Sequence, residues 1–253
     1  MTNVSLRLYI ETDDTEYPGL KRLKLQGKDL ENVPAELFML RELQVLDMSP
    51  ERQPSLTYKL LELPSDIGYL INLRILILDT NELHSLPSEI GSLTQLEKLS
   101  ASNNQLKSLP TSMERLKQMK SLHLANNSFA EFPKPILKLT KLEFLDLSSN
   151  HLETLPSSIT ELINLESLLL FDNRLTSLPE DIGELRNIRC LWLGDNRLES
   201  LPQSIVELRG LIWSPLLSPS TTVGGNPLKD PPIKVCSAGL EELDRYFGVE
   251  IIK

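Results

Sequence analysis

The sequence predicts an α/β solenoid in which a short parallel strand alternates with a helical return segment. A Leu-Pro pair, once Phe-Pro, recurs every 23 residues, at 86/87, 109/110, 132/133, 155/156, 178/179 and 201/202. An asparagine recurs at the same interval: Asn81, Asn104, Asn127, Asn150, Asn173 and Asn196. Alternating leucines precede each asparagine, as in LRILIL from Leu73. A constant pitch of this length is typical of stacked repeats, each of which buries its apolar side against the next.

The strand is the first element of each unit. In the unit that starts at Leu73, Leu76 and Leu78 alternate with other side chains. Successive side chains of a strand point to opposite faces, so these leucines are predicted to enter the core. The same pattern restarts at Leu96, Met119, Leu142, Leu165 and Ile188. We therefore expect neighbouring strands to form a parallel sheet, which lines the concave side of the solenoid.

The asparagine follows the strand in every unit and is predicted to have a structural role. Stacked turns leave backbone amides and carbonyls buried between units. An asparagine side chain both donates and accepts hydrogen bonds, so it can satisfy these groups. The six asparagines are therefore predicted to form a ladder along the solenoid.

The return segment is the third element and follows the pattern Pro-x-x-Ile-x-x-Leu, as in Pro179, Ile182 and Leu185. Proline suits the first position of a helical turn, and the aliphatic residues cover the other side of the core. This pattern predicts helical or 3₁₀ segments on the convex side.

The irregular parts of the chain are predicted to lie in or beside the same single domain. That domain comprises an N-terminal cap over 1–19, repeats over 20–210, an irregular inserted repeat over 211–226 and a C-terminal cap over 227–253. The cap at the front contains Leu6, Leu8 and Ile10. In the cap at the end, Leu240, Leu243 and Phe247 share one face of a predicted helix.

Two insertions of seven residues interrupt the 23-residue pitch. The second repeat reaches its Leu-Pro pair 30 residues after Val33-Pro34, which predicts a protruding loop around PERQPSLTYK. Near the end, the expected asparagine is delayed to Asn226, 30 residues after Asn196. We expect the strand of that last unit to be short or lost.

The composition excludes several classes of partner. A net charge of -9 and a pI near 5.0 oppose binding to nucleic acid or to an anionic membrane surface, since both require clustered basic residues. No apolar run approaches the roughly 18 residues of a membrane span, so no membrane insertion is expected. The first residues lack a secretory signal, which predicts a cytoplasmic protein. We expect the protein to be a monomer.

Cysteine and histidine usage predicts neither a metal site nor a cofactor. Cys190 and Cys236 are 46 residues apart and belong to no Cys-x-x-Cys motif. The three histidines, His84, His123 and His151, lie in separate segments. Metal sites need ligands at closer and more regular spacing.

An aromatic patch is predicted on the outer face of the sheet. Trp192 lies between Leu191 and Leu193, so it faces water if the two leucines enter the core. The same phase places other large apolar side chains on the neighbouring strands. The predicted partner-binding residues are Phe144, Leu169, Phe171 and Trp192, with Asp146, Asp172, Asp195 and His123 at the rim. Apolar patches rimmed by charge are typical of protein contact sites, so we expect a non-catalytic scaffold or adaptor.

Two alternative interpretations remain. The Leu- and Pro-rich insertion after residue 210 would bury the aromatic side chains if it folds over them. The chain would then be a structural subunit that contacts partners through its acidic flanks or the PERQPSLTYK loop. A catalytic triad of Ser100, His123 and Asp146 is the second alternative. No Gly-rich turn offers an oxyanion hole beside them, so a solvated polar stripe, in which Asp146 pairs with His123, is the preferred interpretation.

The repeat unit, in NRLTSLPEDIGEL and NRLESLPQSIVEL, resembles that of the intracellular Ras-group leucine-rich repeat proteins, which include Ras suppressor protein, scribble and erbin. The tail GNPLKDPPIKVCSAGLEEL is similar too, and the resemblance covers about residues 20–247. It implies a horseshoe-shaped solenoid that scaffolds signalling complexes. Its implied partners are small GTPases, phosphatases or kinases on the concave face. The two insertions and the absence of a PDZ domain depart from this family.

Overall fold

The computed structural model describes residues 5–25, 27–50, 58–213 and 222–248. The chain divides into two compact units. The first comprises Met1–Ser128 with Pro133–Leu139, and the second comprises Phe129–Phe132 with Thr140–Lys253. Most of the PERQPSLTYK loop and half of the inserted repeat over 211–226 lie outside the described residues. The interpretation of the chain as one domain stays a prediction.

The first unit contains five short strands, each followed by a helical segment. Its elements are η1 (Leu6–Tyr9), β1 (Arg22–Lys24), α1 (Lys28–Glu31), η2 (Ala35–Met39), β2 (Val45–Asp47), η3 (Ser65–Tyr69), β3 (Ile75–Ile77), η4 (Ser88–Ser92), β4 (Lys98–Ser100), η5 (Thr111–Arg115), β5 (Ser121–His123) and η6 (Lys134–Lys138), where η denotes a 3₁₀-helix. The strands pair in parallel and in chain order, with the central leucines in register.

The second unit repeats this arrangement and ends in two α-helices. Its elements are β6 (Phe144–Asp146), η7 (Ser157–Glu161), β7 (Ser167–Leu169), η8 (Ile182–Glu184), β8 (Cys190–Trp192), η9 (Gln203–Glu207), α2 (Ile233–Ala238) and α3 (Leu240–Tyr246). Strands β6, β7 and β8 pair in parallel and in register. The predicted solenoid with a parallel sheet and 3₁₀ return segments is thus confirmed.

Close contact between return segments explains a glycine in the repeat. A Cβ atom added to Gly183 in η8 would lie 2.1 Å from the carbonyl oxygen of Ser204 in η9. At Gly91 in η4, the corresponding distance to the Ser112 carbonyl oxygen is 2.5 Å. Both distances are too short for any side chain. Glycine therefore allows consecutive return segments to pack backbone against backbone.

The asparagine ladder forms as predicted. Asn173 donates to the carbonyls of Leu147 and Leu170 at 3.0 and 3.1 Å, and its Oδ1 accepts from the Leu152 N–H at 3.0 Å. The six predicted asparagines are all buried. Asn226 continues the ladder after the insertion, because it donates to the Leu193 carbonyl at 2.8 Å and accepts from the Leu198 N–H at 3.0 Å.

The far end of the second unit is closed by α2 and α3. Helix α3 packs against η9 through the fully buried Leu243, while Trp213 donates its indole N–H to the Cys236 carbonyl at 2.8 Å. The described residues of 211–226 contain no strand. Thr222 and Gly224 still accept backbone hydrogen bonds at 2.8 Å from Leu193 and Asp195. The insertion therefore rejoins the solenoid at the edge of the last strand.

The N-terminal segment packs against the first strand. Leu6 is buried, Ile10 is half-buried, and Leu8 is 77% exposed. Glu11 forms an antiparallel bridge with Arg22 through two backbone hydrogen bonds of 2.8 Å. Only one of the three apolar residues predicted to form this cap is fully buried. Within the described parts of the chain, no helix is long and apolar enough to cross a membrane.

Candidate protein-binding face

Strand β8 has the alternation that the sequence predicts. Leu191 is 2% exposed and contributes to the core, whereas Cys190 and Trp192 on either side are half-buried. Strand β6 has the same pattern, with Leu145 buried between Phe144 and Asp146. Three-residue strands present their first and third side chains on the face opposite the core. We call this side the open face of the sheet.

The registers of β6, β7 and β8 place the predicted aromatic residues on the same face of three consecutive strands. Leu169 pairs with Trp192, and Phe144 pairs with Ser167, two residues before Leu169. Paired strands lie roughly 4.8 Å apart, and diagonal neighbours roughly 7–8 Å apart, within reach of aromatic rings. Phe171 follows Leu169 by two residues and is half-buried. We call Phe144, Phe171 and Trp192 the aromatic patch.

Leu169 differs from the expectation. It is 7% exposed, so the prediction that it faces solvent with the aromatic residues is wrong. In the sheet it stands between Asp146 on β6 and Trp192 on β8, its registered partners. Leu169 thus forms the floor of the aromatic patch rather than part of its surface.

The three predicted rim carboxylates differ in their surroundings. Asp146 is half-buried, and its Oδ1 accepts a hydrogen bond of 2.9 Å from the Ser148 N–H. Asp172 and Asp195 are exposed. Both have positive φ angles, 54° and 49°, at the position before the ladder asparagine. Aspartate tolerates this left-handed conformation better than most residues, so their presence also has a backbone reason.

A left-handed residue precedes each ladder asparagine, a feature that the sequence interpretation missed. The six are Thr80, Asn103, Asn126, Ser149, Asp172 and Asp195, and Gly225 takes the same role before Asn226. A signal was present, because asparagine, aspartate and glycine account for five of these seven positions. The turn therefore selects residue types at the edge of the open face independently of binding.

Two residues of the considered catalytic triad, Ser100 and His123, lie in the first unit, and each has a hydrogen bond there. Ser100 Oγ donates to the carboxylate of Asp79 at 2.7 and 2.8 Å. His123, also predicted at the rim of the patch, lies in β5 of the first unit, and its Nε2 is 2.8 Å from Ser121 Oγ. The Ser100 hydroxyl hydrogen is thus directed to a carboxylate, whereas the serine of a Ser-His-Asp triad donates to an imidazole.

The described part of the chain contains neither a cluster of metal ligands nor an activated thiol. Among the described residues, no three His, Cys, Asp or Glu side chains are arranged to hold a metal ion. Cys190 lies on the open face beside Trp192, and burial raises the pKa of its thiol. Burial also raises the pKa of Cys236 to about 11. Both thiols are therefore protonated at neutral pH, whereas the reactive form of cysteine is the thiolate.

Family models for leucine-rich repeats match three stretches of the chain. Leucine rich repeat models match residues 71–129, and again residues 141–162 and 164–185. No curated protein sequence matches the chain. The matched stretches contain β3 to β5 in the first unit and β6 and β7 in the second.

Solved structures share the fold. The ectodomain of the plant receptor kinase GASSHO1/SCHENGEN3 from Arabidopsis thaliana, in complex with Casparian strip integrity factor 2, is 28% identical with a TM-score of 0.66. That similarity covers 82% of this chain and 26% of the ectodomain. An internalin, InlF, from Listeria monocytogenes is 22% identical with a TM-score of 0.61, over 78% of this chain and 52% of its own.

The chain spans only about half or less of the length of these proteins. Their similarity therefore bears on the fold and not on the activity. Their likeness agrees with the parallel strands and the asparagine ladder of both units. Residues 71–129, 141–162 and 164–185 are thus leucine-rich repeats, and the described residues of both units have the leucine-rich repeat fold.

Proposed function

We propose that the protein is a non-catalytic adaptor that binds another protein through the aromatic patch. Leucine-rich repeats generally act in protein–protein interaction. The observation that carries the proposal is the half-buried indole of Trp192 on the open face, directly beside the buried leucine of the same strand. A tryptophan that contributes only part of its surface to the fold retains apolar area for a partner. Tryptophan is also among the residues most enriched in binding hot spots.

The electrostatics of the patch favour one class of partner. Asp172 and Asp195 are exposed beside the aromatic side chains, and the whole chain has a net charge of -9. A partner surface with an apolar side chain flanked by lysine or arginine complements this arrangement. Opposite charges at the rim chiefly accelerate association and select the partner, while the buried aromatic contacts supply affinity. By resemblance to the Ras-group proteins, we propose a cytoplasmic signalling role with a small GTPase, phosphatase or kinase as the partner.

The alternative is a structural subunit in which the patch is covered from within. Leu169 lies between two paired strands, so its burial by itself fits either interpretation. Trp213, at the start of the insertion, is directed to the Cys236 carbonyl of α2. This hydrogen bond attaches the start of the insertion to α2, at the C-terminal end of the second unit. This contact fits the adaptor interpretation, and the variants compared below distinguish it from the internally covered subunit.

Affinity capture from cell lysate tests the proposal. We compare the unmodified chain with the double variant Phe171→Ala, Trp192→Ala, and with the control Ile163→Ala, which removes an apolar side chain that is 62% exposed elsewhere in the second unit. The adaptor interpretation expects the double variant alone to lose its partner, with a fall in melting temperature of only a few degrees, because both side chains are half-buried. Retained capture, or a large fall in melting temperature, would favour the internally covered subunit.

A further inference from the structure

A short N-terminal segment lies across the open face of the first unit. We call residues 11–19 the acidic segment, because four of the nine, Glu11, Asp13, Asp14 and Glu16, carry carboxylates. The segment is held to β1 by the backbone bridge between Glu11 and Arg22. The segment folds back on itself, because the Gly19 N–H donates to the Thr12 carbonyl at 3.1 Å. At its turn, the ring of Tyr17 lies 5.8 Å from Nζ of Lys98, a residue of β4.

Two side chains of the acidic segment are turned toward the sheet. Tyr17 is 8% exposed and Asp14 is half-buried, whereas the remaining seven residues of the segment are exposed. The Asp14 carboxylate forms an ion pair with Arg22 of β1, which also contacts Asp47 of β2 at 3.2 Å. Lys98 Nζ donates to the Tyr17 hydroxyl at 3.4 Å. The segment is thus attached at an acidic anchor and an aromatic anchor three residues apart.

The acidic segment is preorganised for this attachment. Asp14 Oδ1 accepts hydrogen bonds from the Glu16 and Tyr17 N–H groups, both at 2.9 Å. These local bonds close a turn that places the carboxylate and the aromatic ring on the same side. The hydrogen bond from Tyr17 N–H also lowers the pKa of Asp14 below its ordinary value, so the anchor is ionised at neutral pH. A free peptide with the same turn carries the same two anchors.

We propose that the open face of β1 to β4 is a second binding surface, which recognises an acidic peptide containing Asp-x-x-Tyr and is occupied in cis by residues 11–19. Arg22 recognises the aspartate and Lys98 recognises the tyrosine. A tethered segment competes at an effective concentration of about 1 mM, so it hides the surface from weaker ligands. A partner peptide gains access when the two anchors are released.

The test uses a fluorescein-labelled peptide of residues 10–20, IETDDTEYPGL, and measures its anisotropy on the full chain. Three chains are compared: the unmodified chain, the anchor variant Asp14→Ala, Tyr17→Ala, and the control Thr12→Ala, Thr15→Ala in the same segment. We expect the anchor variant to bind the peptide at least about tenfold more tightly than the other two, because the tethered competitor is removed. Lys98→Met in the anchor variant should weaken binding again by about fivefold or more.

Three outcomes would overturn the proposal. The first is a well-folded anchor variant that does not bind the peptide, and the second is binding that is indifferent to Lys98→Met. The third is an anchor variant that fails to fold, since the segment is then a part of the fold rather than an occupant. Amide hydrogen exchange of the unmodified chain gives an independent result. Excess peptide should accelerate exchange at Glu16 and Tyr17, and unchanged exchange there also contradicts the proposal.

Discussion

The ladder asparagines are the polar residues on which the stacking of repeats depends. Each buried amide forms hydrogen bonds with backbone groups of two consecutive repeats. Asn173, for example, bonds to Leu147, Leu170 and Leu152. A buried backbone group without a partner costs more free energy than a hydrogen bond contributes when it forms. The asparagine therefore stabilises the stack chiefly because it provides hydrogen-bond partners for buried backbone groups.

Replacement of Asn173 by alanine should expose this dependence. The variant leaves the buried Leu152 N–H without its side-chain acceptor, so we expect the free energy of unfolding to fall by about 2 kcal/mol. The Leu147 and Leu170 carbonyls keep hydrogen bonds from the neighbouring ladder asparagines. Asn187→Ala is the matched control, because Asn187 is exposed and donates one hydrogen bond, of 2.7 Å to the Ile163 carbonyl. Urea denaturation followed by circular dichroism measures both. Equal losses in the two variants would mean that the ladder has no special role.

At the scale of elements, the return segments determine how closely consecutive repeats approach. Each return segment from η2 to η9 spans three to five residues, and a leucine N–H closes it, as Leu185 does on the Ile182 carbonyl at 3.1 Å. The tight 3₁₀ turn keeps the segment short. Gly183 then lets η8 contact η9 through the backbone. The spacing of the repeats follows from this contact together with the sheet.

Gly183→Ala should therefore separate η8 from η9. A methyl group 2.1 Å from the Ser204 carbonyl oxygen forces the backbone to move, and such overpacking costs about 2 kcal/mol. Gly210→Ala is the control, because its Cβ would lie 3.4 Å from the nearest atom, the Ile188 carbonyl oxygen. Thermal unfolding of both variants decides the point. If the Gly183→Ala variant is as stable as the control, the close contact between η8 and η9 does not limit the spacing of the repeats.

At the scale of the whole molecule, periodicity predicts the fold far better than it predicts surfaces. The phase of the leucines correctly places Leu191 inside and Trp192 outside, because strand alternation is a local property. The burial of Leu169 depends on side chains of two other strands, which one repeat does not specify. The contact of Tyr17 with Lys98 joins residues 81 apart in the chain. Contacts of this kind leave no periodic signal.

The two binding proposals also belong to this scale, and they rest on different parts of the chain. The aromatic patch lies in the second unit, and the surface beneath the acidic segment lies in the first. Loss of Trp192 should leave the peptide affinity of the anchor variant unchanged. The two surfaces are therefore separable by mutation, and failure of one proposal leaves the other standing.

The most direct measurement of the central claim compares two neighbours on β8. The account assigns Leu191 to the core and Trp192 to the open face. Leu191→Ala should lower the free energy of unfolding by about 3 kcal/mol, because it leaves a cavity among fully buried aliphatic side chains. Trp192→Ala, although it removes more atoms, should lower it by only about 1 kcal/mol, since much of the indole is not packed in the core. A loss for Trp192→Ala equal to or greater than that for Leu191→Ala would contradict the account.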